Sequence, residues 1–287
     1  AGGRGSTALA PPVLGARGAP TMTGSVPAEG APITANSVLP ADRRQVPLVT
    51  ADGLRLVAEA ALPLAQDGEP AATIICAHPL PTHGGSMDSH IFRKAAWRLP
   101  ALADIAVVRF NTRGTASAIG RSEGSFDHAD GEGLDLSAAV EWAQGAELPN
   151  IWLVGWSFGT DVILRHGRLD GVRGAVLLSP PLRFCTAADL AAWDADGRPI
   201  TALVPEFDDY LPPDAAARSF AGVRQLRIVP ASGAQHLWVG ERWVRWVLDS
   251  IVGVVAPQVS VPLPRTWSGP MGHWDDLRGG LGGGMED

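Results

Sequence analysis

The chain has 287 residues, 46% of them apolar, and a formal net charge of −7 from 23 basic and 30 acidic side chains. That is enough apolar material for a large core and excludes disorder throughout, while the acidic balance argues against a nucleic-acid-binding surface as the main function. Two cysteines, Cys76 and Cys185, cannot build a disulfide framework or a four-sulfur zinc site, and no apolar run approaches the ~18–20 residues of a membrane span.

Residues 1–45 are rich in Ala, Gly, Pro, Ser and Thr without a sustained period and read as a flexible N-terminal extension. Pro11, Pro12 and Gly15 interrupt the only stretch that could serve as a secretory signal, so a cytoplasmic protein is expected. Met22 opens a more ordinary start than Ala1, which leaves open whether residues 1–21 belong to the functional product.

Residues 46–50 and 54–62 flank Ala51-Asp52-Gly53, a hairpin signal. Short β-rich runs follow at 72–77, 105–110, 151–156, 172–178, 200–205 and 226–230. Several are apolar throughout, as strands buried on both faces of a parallel sheet must be. Helical segments fall between them at about 88–99, 132–144, 158–168 and 213–220. The last, about 237–255, puts Val244, Val247, Leu248, Ile251 and Val255 on one stripe. A hairpin followed by repeated βα units predicts an α/β domain over 46–256. It should contain about eight mostly parallel strands with helices on both faces. Only about 20 residues, 180–199, separate the sixth and seventh strand runs, which leaves room for a minimal cap. Four prolines between 257 and 270 and the Gly-rich run 279–284 read as a loosely attached C-terminal tail over 257–287.

Two segments match Gly-x-Ser-x-Gly. Abundant Gly inflates such matches, so context must separate them. Ser157, in Gly155-Trp156-Ser157-Phe158-Gly159, ends a strand run and precedes a helix, the setting in which a sharp turn lifts a hydroxyl off a sheet. Ser122, in Gly120-Arg121-Ser122-Glu123-Gly124, sits in a polar loop with no strand before it. Ser157 is therefore the candidate nucleophile.

A serine hydroxyl needs a base to take its proton. Three histidines lie downstream. His166 falls in the helix right after Ser157 and His273 in the tail, whereas His236 follows a strand and a loop and opens the last helical segment. His236 is the candidate base. A carboxylate that orients it should follow the preceding strand, where Glu206, Asp208 and Asp209 compete; Asp208 is preferred and Asp209 stays open. The backbone N–H of Phe158 and an N–H from the loop 78–85 would hold a developing oxyanion. Pro79 and Pro81 have no N–H, which leaves Leu80 as the donor. His78 and His83 in that loop have no carboxylate at helical spacing and no Cys pair beside them. They read as loop-shaping residues, with no metal and no cofactor called for. Trp156, Phe158, Phe184, Trp193 and Trp238 are candidates to line an apolar substrate pocket, with core packing as the competing reading for each.

The elbow around Ser157, His236, the downstream Asp and the His78-Pro79 loop together resemble the α/β-hydrolase superfamily. More narrowly, the chain resembles small bacterial α/β-hydrolases of poorly defined substrate. The similar stretches are Gly84-Gly85-Ser86-Met87, Arg109-Phe110-Asn111-Thr112-Arg113-Gly114, Ser122-Glu123-Gly124-Ser125-Phe126-Asp127 and Gly155–Gly159. The resemblance covers about 70–255 and implies that Ser122 belongs to a structural loop. Two departures stand out. Leu80 replaces a second histidine found in many relatives, and 115–120 is longer than the usual link.

The expected chemistry is two-step acyl transfer on a small or medium carboxylic ester or thioester. A peptidase or amidase with the same machinery, cofactor-free perhydrolase chemistry and a catalytically silent binding scaffold are the alternatives. The expected partner is a small-molecule ester, without nucleic acid or a membrane span; the sequence does not set an oligomeric state.

Overall fold

The computed structural model describes residues 30–64 and 69–274. Its centre is an eight-stranded sheet: β1 Asp42–Gln45, β2 Ala58–Leu62, β3 Ala72–Ala77, β4 Ile105–Phe110, β5 Ile151–Trp156, β6 Val172–Leu178, β7 Ile200–Phe207 and β8 Leu226–Gln235, in the order β1-β2-β4-β3-β5-β6-β7-β8. β1 and β2 run antiparallel to their neighbours, and the other six strands are parallel. Every residue of β3 and β4 is buried, which is why these segments are apolar at all but one position each, Thr73 in β3 and Arg109 in β4.

Among the described residues six α-helices cover the sheet: α1 His90–Ala103, α2 Glu132–Gly145, α3 Phe158–His166, α4 Ala187–Asp196, α5 Pro213–Ser219 and α6 Glu241–Val255. One face packs against α1 and α6, the other against α2, α3 and residues of α4 and α5. The stripe read from the sequence of α6 is the buried one: Val244, Val247, Leu248, Ile251 and Val255 all lie inside. The cap between β6 and β7 is a single short helix, α4.

The expected boundaries at 45/46 and 256/257 are not where the structure ends its domain. β1 is the sheet's edge strand and lies before residue 46, and Ile33, Val38 and Leu39 are buried. Its sequence, Asp-Arg-Arg-Gln, is polar because an exposed edge strand needs no apolar face. The described part of the C-terminal segment is also attached. Thr266–Trp267 pairs with Ala31–Pro32, Gly272–His273 pairs with Ser37–Val38, and the Trp274 ring lies 5.1 Å from that of Trp97. The extension expected over residues 1–29 and the Gly-rich end at 275–287 lie outside the described residues. The hairpin expected at 46–62 is shorter than read. Leu48–Val49 pairs with Arg55–Leu56 before the chain enters β2.

Candidate active site

Ser157 stands between β5 and α3 with φ 51° and ψ −117°, a conformation that a side chain adopts only when its surroundings enforce it. The enforcement is visible. Its N–H donates to the Leu178 carbonyl at 2.9 Å, and its own carbonyl accepts from the Thr160 N–H at 2.8 Å and the Thr160 hydroxyl at 2.7 Å. The two flanking glycines are required by close approach. A Cβ at Gly159 would fall 1.9 Å from the Ala77 carbonyl oxygen, and one at Gly155 would fall 2.7 Å from that of Gly159.

The structure brings Ser157, His236 and Asp208 together. The Ser157 Oγ and His236 Nε2 are 2.9 Å apart, and His236 Nδ1 and Asp208 Oδ2 are 2.9 Å apart. Since Oδ2 can only accept while Asp208 is ionised, Nδ1 carries the ring hydrogen, which leaves Nε2 to accept from the serine hydroxyl. The other carboxylate oxygen of Asp208 accepts the N–H groups of Tyr210 and Leu211 at 2.9 and 3.1 Å. Burial pushes the Asp208 carboxyl up, but the bond and charge of His236 and those two N–H groups outweigh it and hold the carboxyl below its ordinary range. Asp209 and Glu206 are exposed, and Glu206 accepts the Gly233 N–H instead. His236 lies in the turn before α6, which starts at Glu241, rather than opening that helix as expected. Its carbonyl is held by the Trp156 Nε1–H at 3.2 Å and the Ser179 hydroxyl at 3.1 Å.

The other sequence candidates fall into place by contact. Ser122 is buried, donates to the Asn111 carbonyl at 2.8 Å and accepts the Val57 N–H at 2.9 Å, so it ties a loop to the sheet. His166 reaches the Ala129 carbonyl at 2.7 Å, and His273 lies in the short strand against Ser37. His78 is fully buried. Its Nδ1–H donates to the Pro79 carbonyl at 2.6 Å, while Nε2 accepts the Thr112 N–H at 3.1 Å. Burial pushes its pKa down to about 4, so near neutral pH it is an uncharged brace for the loop carrying Leu80. The inserted stretch 115–120 forms a small hairpin, Ala116–Ser117 with Gly120–Arg121, tied through the Ser117 hydroxyl to Asn111. Among the described residues no group of three or more His, Cys, Asp or Glu could hold a metal ion.

Above Ser157 lies a cleft of about 120 Å³ walled by Leu80, Phe158, Phe184, Tyr210, His236 and Leu237 among others. Both residues named as oxyanion donors, Leu80 and Phe158, line it. Among the described residues neither N–H has an acceptor, and Phe158 opens α3, whose N-terminal dipole favours negative charge there. Of the aromatic candidates, Phe158 and Phe184 line the cleft; Trp156, Trp193 and Trp238 do not. Those three are buried in the core. Trp156 holds His236, Trp193 donates to the Leu164 carbonyl at 2.8 Å, and Trp238 stacks on Trp246 with ring centroids 5.5 Å apart. A large aromatic ring removes the most apolar area from water when it packs in the core, and these three lie there. The sequence reading missed Tyr210, Leu237, Asp161 and Arg183, which also line the cleft. The first two directly follow or nearly follow the residues of the relay, and that proximity was the available signal.

No protein-family model matches the chain. A stretch of 109 residues is 30% identical to an uncharacterized protein of Rickettsia prowazekii, covering 37% of this chain and 43% of that protein. The chain therefore spans less than half the length of that curated relative. Among solved structures, an α/β serine hydrolase without a lid from Xanthomonas campestris superposes with a TM-score of 0.63 at 26% identity, covering 78% of this chain and 99% of that one. The chain belongs to the α/β-hydrolase superfamily. Two further α/β-hydrolase-fold neighbours agree on the fold. An α/β serine hydrolase homologue from Coxiella burnetii gives a TM-score of 0.60 at 22% identity, covering 77% of this chain and 99% of that one. The Pyrococcus furiosus esterase Pf2001 gives 0.58 at 17%, covering 75% and 94%. This α/β-hydrolase has no helix, among its described residues, long and apolar enough to cross a membrane.

Proposed function

We propose that this α/β-hydrolase cleaves small or medium carboxylic esters, or thioesters, through Ser157, His236 and Asp208. The observation that carries the reading is the relay itself, with two successive 2.9 Å contacts ending on a serine held in a strained turn. His236 takes the hydroxyl proton as Ser157 Oγ attacks the ester carbonyl. The carbonyl π electrons move onto oxygen, and the N–H groups of Leu80 and Phe158 receive that charge. The C–O bond to the alcohol breaks as His236 returns the proton to the leaving oxygen. A water then repeats the sequence on the acyl-enzyme and frees Ser157. Asp208 keeps its charge throughout and stabilises the imidazolium form of His236.

Three features favour an ester with apolar parts. The cleft is small and mostly apolar. Tyr210 and Leu237, at its mouth, are exposed, as are neighbouring Phe207 and Val239. The cap is one short helix, in keeping with the lidless Xanthomonas campestris hydrolase. A silent binding scaffold would have no need of an intact relay and a strained serine.

The test is labelling with a fluorophosphonate probe, followed by a panel of 4-nitrophenyl esters and 4-nitroanilides. Wild type and Ser122→Ala should label and Ser157→Ala should not, with esters cleaved faster than anilides. Labelling that survives in Ser157→Ala would remove the assignment, and faster anilide cleavage would favour an amidase.

A further inference from the structure

The cleft has two chemically different ends. His236 must give its proton to the leaving alcohol, so the alcohol portion lies on its side, against Tyr210 and Leu237. The acyl portion is left the remaining lining around Phe158, Asp161, Phe184 and Arg183. The Phe158 and Phe184 ring centroids are 5.5 Å apart, and Phe126 packs on Phe158 at 5.3 Å, which makes this wall apolar next to Ser157.

The charges at the two ends are opposite. Beyond the alcohol side, Glu206 and Asp209 are exposed. At the far end of the acyl wall stands Arg183, exposed, with its guanidinium carbon 5.9 Å from the Phe184 ring centroid. Among the described residues no carboxylate lies within ion-pair distance of that guanidinium. The nearby carboxylates are engaged elsewhere. Asp161 is fully buried and its oxygens accept the backbone N–H groups of Arg183 and Cys185 at 3.3 and 3.2 Å. Asp189 caps α4, accepting the N–H and hydroxyl of Thr186 at 2.7 Å each. Asp161 thus fixes the loop that aims Arg183, and its own charge is turned to that loop's backbone.

We infer that Arg183 is a specificity-determining residue, and that the preferred acyl group is an apolar chain ending in an anion, as in a monoester of a dicarboxylic acid. The inference rests on the ester-hydrolase reading above. The apolar stretch of the chain lies along Phe158 and Phe184, and its terminal carboxylate meets the planar donor fork of Arg183.

The experiment compares kcat/KM for mono(4-nitrophenyl) adipate and for 4-nitrophenyl hexanoate, which share a six-carbon acyl chain and differ in its terminal charge. Wild type should prefer the adipate. Arg183→Gln should reduce that preference roughly three- to tenfold, chiefly through KM, the scale of a partly exposed charge pair. Arg183→Glu should reduce it further, Arg183→Lys should restore part of it, and added salt should weaken it in wild type and Arg183→Lys but not in Arg183→Gln. A preference untouched in Arg183→Gln, equal losses on both esters, or faster cleavage of an ester with a cationic acyl end would each overturn the assignment. If the fluorophosphonate labels Ser157 yet wild type does not prefer the adipate, this inference falls and the hydrolase reading stands. If wild type neither labels nor cleaves either ester, both fall.

Discussion

Asp208 Oδ2 lies 2.9 Å from His236 Nδ1, while the adjacent Asp209 is exposed to solvent. The direction of two neighbouring side chains thus separates two carboxylates that composition treats as equal. Asp208→Asn should lower kcat by roughly 10³–10⁴, since an amide in that place can present its NH₂ to Nδ1 and favour the wrong tautomer. Asp209→Asn should stay within about twofold, as expected for a surface substitution. Steady-state kinetics on one activated ester decides. Comparable losses in both variants would mean that the relay is not read correctly.

The backbone of Ser157 holds φ at 51°, where glycine has no steric penalty and serine does. Ser157→Gly should therefore abolish ester cleavage and raise stability by about 1 kcal/mol, whereas Ser157→Ala should abolish cleavage with no such gain. Urea unfolding of the three proteins reads the difference directly. Equal midpoints for the glycine and alanine variants would argue that the turn stores no strain.

Trp156 and Phe184 were grouped by their aromatic character, and the structure assigns them different work. Trp156→Phe removes an indole N–H that holds the His236 carbonyl. It should cost roughly 1–2 kcal/mol of stability and lower kcat severalfold with KM little changed. Phe184→Ala opens the cleft wall and should raise KM for longer acyl chains while leaving stability closer to wild type. Chemical denaturation together with an acyl-length series measures both. A KM effect confined to Trp156→Phe would reverse the assignment.

His78 predicts an acid-side loss of stability. Burial lowers its pKa in the folded protein to about 4, against about 6.5 in the unfolded chain. Between these values the unfolded chain binds a proton that the folded protein does not, so stability falls as pH drops from about 6.5 towards 4. The full effect is on the order of 3 kcal/mol. His78→Gln should be less stable at pH 7 but should lose less across that window. An equal pH slope in both proteins would show that His78 does not titrate in this way.

Much of this is legible in the sequence. Strands β3 to β6 announced themselves because a parallel strand buried on both faces is apolar at most of its positions. The stripe of α6 was legible because 3.6-residue periodicity leaves one face against the sheet. Ser157 was separable from Ser122 because a nucleophile turn needs a strand before it and a helix after it, and glycine where a Cβ would strike a carbonyl. His236 followed from chain order along the sheet. The edge strand β1 and the pairing of 31–38 with 266–273 were not legible. A polar edge strand and two-residue pairings carry no period, and their partners lie more than 200 residues apart.

The sequence alone determined the kind of fold and marked the candidate nucleophile and base, because periodicity, turn chemistry and chain order are local properties of a chain. Tertiary structure decided what depends on direction in space. It turned Asp208 rather than Asp209 to the imidazole, and it sent three tryptophans into the core. It also left Arg183 facing the cleft without a carboxylate partner among the described residues. Side-chain direction and burial follow from packing among segments distant in sequence, and no local pattern encodes them.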